Sequence, residues 1–82
     1  MIIQFDSLDF MEAALSLGID SEVADKLTAA FITHNDCERG LIPRDRYVLA
    51  AERIIMIWHQ WLKKRITTEE MGRRVMRVDF MF

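Results

Sequence analysis

The segment Pro43–Arg65 limits what this chain can fold into more than any other part of it. Its periodicity predicts one long helix, opened by Pro43 and closed by Lys63, Lys64 and Arg65. Pro43 suits a first helical position, where its fixed φ is helical and its missing donor is not needed. The three cations suit the negative end of the helix dipole. At an advance of about 100° per residue, Tyr47, Val48, Ala50, Ala51, Ile54, Ile55, Ile57, Trp58, Trp61 and Leu62 cover about half the circumference, where a one-sided surface helix needs an apolar stripe of about 100°. Such a helix requires cover on two sides, from its own chain, a second copy or a foreign partner.

The chain is short, at 82 residues. One domain of this length buries only about 60% of its unfolded surface, and disulfides, metals or oligomerisation are the usual remedies. Cys37 is the single cysteine, so no intrachain disulfide forms. That agrees with a reducing, cytoplasmic setting and makes oligomerisation the expected remedy. The expectation is a homodimer or higher oligomer with helix three near the two-fold axis, and Ile54, Trp58 and Trp61 in the interface or the core. Apolar runs such as Ile54–Trp58 fall far below the ~18 residues of a membrane span. The start of the chain has no basic flank and meets acid at Asp6, which argues against a signal peptide.

Four helices are expected, with short extended arms at the ends, in an all-α domain covering residues 1–82. Asp6 or Ser7 caps a first helix, Leu8–Leu17, apolar over more than half its surface. Gly18 ends it in the left-handed region, with Ile19 folding back as an apolar clasp. Asp20 or Ser21 caps a second helix to about His34, where Asn35 and Asp36 break the pattern. Its Ala24, Ala29 and Ala30 permit close approach of another helix. Helix three is the expected spine. Thr67 with Glu70 three residues on forms a capping box for Thr68–Arg77. Val78–Phe82 is expected to be extended, and such a tail could pair with Ile2–Phe5.

No residues here are assigned to catalysis, to a cofactor or to a metal, and the chain is not expected to be an enzyme. His34, Asp36 and Cys37 cluster, but His-x-x-Cys supplies two ligands where structural zinc takes four. Cys37 between Asp36 and Glu38 disfavours the thiolate that a Cys–His nucleophile needs. Gly18, Gly40 and Gly72 are isolated, so no phosphate loop is present. Gln4-Phe5-Asp6-Ser7-Leu8-Asp9-Phe10 loosely resembles, with imperfect spacing, the short peptides that dock on bacterial sliding clamps. A helix cap followed by core residues accounts for the same letters.

The charge is divided. Residues 1–39 hold eight acids and two bases, a balance of −6, and residues 40–82 hold nine bases and five acids, a balance of +4. Either the halves neutralise one another in the fold or across a dimer, or one half is a charged docking face. Leu49 and Met56 lie seven apart on the polar side of helix three, with Arg53 between them. An adaptable Met beside Leu, rimmed by charge, is interface material. The expected function is therefore protein binding by a small regulator, of the kind a phage or mobile element carries as an antirepressor or inhibitor. Leu49, Arg53 and Met56 would form its outer face, and Asp20, Glu22 and Asp25 an acidic face that steers it to a basic target. Two other readings are a DNA-binding regulator using the basic half and a structural subunit of a larger assembly. The first is weakened by the chain's net charge of −2.

Overall fold

A computed structural model of the chain describes residues 6–80. Among them are four helices and no strand: α1 (Ser7–Ser16), α2 (Ser21–Glu38), α3 (Arg46–Leu62) and α4 (Thr68–Arg77). The all-α four-helix architecture expected from the periodicity is the observed one. The proposed pairing of the tail with Ile2–Phe5 lies outside the described residues.

Each helix starts at a side-chain oxygen that takes up the orphan amides of the first turn. Asp6 accepts from Leu8 and Asp9, Asp20 from Glu22, Asp45 from Tyr47 and Val48, and Thr67 from Glu70. Helix α3 therefore opens at Arg46 behind the Asp45 cap and not at Pro43, because the Asp45 carboxylate supplies the acceptor that Ile42, the cap of a helix starting at Pro43, lacks. Arg44 then grips Glu52 with both guanidinium nitrogens, at 2.7 Å each, and ties the preceding loop to the flank of α3. The capping box before α4 is only half formed. Thr67 Oγ1 accepts from the Glu70 amide at 3.1 Å, but the Glu70 carboxylate turns to Arg73 and Arg74.

Three helices stop by the same device. Gly18 donates to Leu15 and Ile19 to Ala14, Gly40 to Cys37 and Leu41 to Asp36, Lys64 to Trp61 and Arg65 to Gln60. Each pair closes the last turn around a residue with positive φ. Gly18 fills that position after α1 at φ 84°, and buried Ile19 forms the expected clasp. After α2 the position falls at Gly40, so the helix runs past His34 through Asn35 and Asp36 to Glu38. Their weak helix propensity yields to the tertiary packing that leaves residues 33–37 half-buried. After α3 the position is held by Lys64 at φ 59°, which ends the helix at Leu62. Lys63, Lys64 and Arg65 thus form the turn beyond α3 and not its last residues.

The core joins all four helices and includes Ala14, Ile19, Val23, Leu27, Ala30, Ala51, Ile54, Trp58, Met71, Val75 and Phe80. The helix packed against each of the others is α2; the expected spine, α3, contacts α2 and α4, and meets α1 through the rings of Phe10 and Trp58. The reason lies in α2's small residues: Ala24 and Ala30 are fully buried and let helix backbones approach closely. On α4, Gly72 faces Val23, where a Cβ would stand 3.4 Å from the valine methyl.

Helix α3 finds its two-sided cover within the chain. Val48, Ala51, Ile54, Ile55 and Trp58 are buried, and Ala50, Ile57 and Trp61 are half-buried against the core. Tyr47 and Leu62, expected on the apolar arc, are exposed. They stand at the two ends of the helix, where the neighbouring helices no longer cover it. Trp58 lies 5.3 Å from Phe10 and 4.9 Å from Trp61, centroid to centroid, in an aromatic cluster that includes Phe31. Trp61 also donates its indole N–H to Thr68 at 3.0 Å, joining the end of α3 to the start of α4.

Candidate functional site

With Ile54 and Trp58 buried in the chain's own core, α3 turns a different face outward. Leu49 is 49% and Met56 63% exposed, and Arg53 is exposed between them. The spacing of 49, 53 and 56 puts the three side chains on one stripe about two turns long. Sequence reasoning placed this trio together, and the structure does so too.

Beside the stripe lies an open groove of about 410 Å³, lined by Arg46, Tyr47, Leu49, Ala50, Arg53 and Asp79. Leu49 and Ala50 give it apolar lining, and Arg46, Arg53 and Asp79 give it charged lining. Asp79 arrives because the chain turns extended at Val78 and buried Phe80 draws the segment back onto the core. Arg46 stacks on the Tyr47 ring at 5.2 Å and points a guanidinium nitrogen at its hydroxyl, 3.4 Å away. That hydrogen bond raises the guanidinium pKa still further, with weaker attraction from Asp45 and Asp79, so Arg46 is a fixed cation. Sequence periodicity had no means of finding Asp79 here, because its place depends on the return of the chain after α4.

The acidic trio is not part of this groove. Asp20 is occupied as the cap of α2, while Glu22 and Asp25 are exposed on its first turns. The neighbouring Lys26 turns instead to α4, where it donates to the carbonyls of Met76 and Val78.

The basic half is partly neutralised by its own acids. Arg44 pairs with Glu52, Arg73 with Glu69 and Glu70, and Arg74 with Glu70. The hydrogen bond from Arg74, aided by the charge of Arg73, holds the Glu70 carboxyl below its ordinary value against a weaker opposing effect of burial. Arg74 also donates to Gln60, linking α4 to α3.

Among the described residues no group of three His, Cys, Asp or Glu side chains converges on a point where a metal ion would sit. The Nε2 atom of His34 lies 4.0 Å from Glu38, its buried Nδ1 has no hydrogen-bond partner, and Cys37 is a half-buried thiol. Nor, among the described residues, is any helix long and apolar enough to cross a membrane.

The outward surface of α1 is also apolar. Leu8 is 74% and Leu15 45% exposed, with Glu12 exposed between them. In Gln4–Phe10, Asp6 serves as the helix cap and Phe10 packs into the aromatic cluster, which accounts for the described part of the clamp-like stretch. Compared with family models, curated proteins and solved structures, the chain matches none.

Proposed function

We propose that this chain is a non-enzymatic binding protein that docks on another protein through the outer face of α3. The observation that carries the reading is the stripe of Leu49, Arg53 and Met56, exposed beside an open groove, on a helix whose core needs are already met. Leu49 and the flexible Met56 supply apolar contact, and Arg46 and Arg53 in the groove lining supply orientation. The exposed Glu22 and Asp25 on α2 steer approach to a basic target. A small cytoplasmic regulator of this kind fits the role of an inhibitor or antirepressor of a phage or mobile element.

The nucleic-acid reading is weaker. Arg44, Arg73 and Arg74 spend their charge on Glu52, Glu69 and Glu70, which leaves the turn Lys63–Arg65 with Arg46, Arg53 and Arg77 to contact phosphates. The structural-subunit reading would require polymeric material from the chain alone.

The test is capture of partners from a native lysate, with and without nuclease, using the wild-type chain and a Leu49→Ser, Met56→Ser double variant. The expected result is one stoichiometric protein that survives nuclease and is lost with the variant, whose melting temperature stays at the wild-type value. Material that disappears with nuclease would transfer the function to the basic surface.

A further inference from the structure

We infer that the outer face of α3 is filled by the outer face of α1 from a second copy of this chain. This rests on the reading of the α3 face as a docking surface and names what fills that face when the chain is on its own.

The two faces have the same design with opposite charge. On α1, Leu8, Glu12 and Leu15 stand at i, i+4 and i+7, and on α3, Leu49, Arg53 and Met56 stand at i, i+4 and i+7. All six are exposed. In each case two large apolar side chains lie about 10 Å apart along the helix with one charge between them. Neither Glu12 nor Arg53 makes an ion pair within the chain among the described residues. Laid together, the stripes pair Glu12 with Arg53 and leave the leucines of α1 on Leu49 and Met56. Each such contact pairs one acid of the acidic first half with one base of the basic second half.

The same residues argue against the simpler symmetric contacts. In a two-fold contact of α3 on α3 with the stripe at its centre, Arg53 meets Arg53. In the equivalent contact of α1 on α1, Glu12 meets Glu12. Like charges brought together across an interface oppose association, whereas α1 on α3 places opposite charges together. Two such contacts related by a two-fold axis close a dimer, and a single one propagates into a chain.

Sedimentation of the full chain over a concentration series is the test, with Glu12→Arg, Arg53→Glu and the double reversal. The wild type should associate as concentration rises from micromolar toward millimolar. Each single reversal should raise the dissociation constant by about tenfold, and the double reversal should recover most of that loss. All three variants should melt with the wild type, since both side chains are exposed. A Leu15→Ser, Met56→Ser variant should weaken association without any change of charge. A wild type that stays monomeric throughout overturns the inference, and so does a double reversal no better than the singles. If the chain is monomeric yet the Leu49→Ser, Met56→Ser variant loses a captured partner, the docking face stands and only its occupant is wrong. If neither self-association nor capture depends on the stripe, both readings fall.

Discussion

Lys26, in the second turn of α2, donates its ammonium to the carbonyl of Val78, the residue that ends α4, at 2.5 Å, and to the carbonyl of Met76 at 3.2 Å. The last carbonyls of a helix have no partner within it and carry the negative end of its dipole. The contact therefore does for α4 what the left-handed turns do for the other three helices, but with a side chain from 52 residues earlier. Replacing Lys26 by Met keeps the stem and removes the ammonium. The expected cost is about 1–2 kcal/mol, given a charged donor that is partly solvated. Amide exchange should speed up most in α4, and uniform loosening of all four helices would show that the contact does not anchor α4.

Lys64 holds a backbone conformation that glycine adopts freely and other residues adopt at a cost of about 1–2 kcal/mol. Lys64→Gly should raise stability by about 0.5–1 kcal/mol after the extra freedom of glycine in the unfolded chain is counted. A lower melting temperature for this variant would mean that α3 does not end in a left-handed residue.

The two sides of α3 should respond very differently to truncation. Trp58 is 8% exposed and packs on Phe10, Phe31 and Trp61, so Trp58→Ala should cost about 3–5 kcal/mol, enough to unfold a marginal domain. Met56→Ala on the outer stripe should change stability by less than about 0.5 kcal/mol at concentrations where the chain is monomeric. Chemical denaturation of both variants decides the matter, and equal losses would mean that the outer stripe is core.

Glu70 gives the fold a weak pH dependence. Its carboxyl is held below the ordinary value of 4.5, first by the hydrogen bond from Arg74. The stabilisation is complete above the unfolded value and is lost as pH falls through the lower folded value. The wild type should therefore melt above Glu70→Gln at neutral pH, with the gap closing as pH falls below the ordinary value of 4.5 and through the lower folded one. A gap that widens in acid would reverse the sign and rule out the ion pair as its cause.

Much of this architecture was legible in local pattern. Thr67 caps α4 as expected, and of the paired candidates before α1 and α2 it is Asp6 and Asp20, not Ser7 and Ser21, that cap. Gly18 and Ile19 end α1 as their order implied, because such signals act over one turn of chain. The helix that looked too apolar for a small domain was correctly seen to need two-sided cover, and the outward placement of Leu49, Arg53 and Met56 followed from the same projection. The starting residue of α3 was not legible, since the pattern pointed to Pro43 and only the hydrogen bonds from the Tyr47 and Val48 amides put the cap at Asp45. Nor was its end, because Lys64 occupies a position whose usual marker is glycine.

From the order of residues alone came the number of helices, most of their caps and the apolar face of each, because these depend on neighbours within about four positions. Tertiary packing decided that α2 and not α3 is the hub, since that depends on how closely Ala24 and Ala30 let other backbones approach. It also consumed Ile54 and Trp58 in the core, left the stripe of α3 exposed, and carried Asp79 into the groove beside Arg46 and Arg53. The physical reason is that a periodic pattern states which side of a helix is apolar, while the burial of that side depends on neighbours distant in the chain.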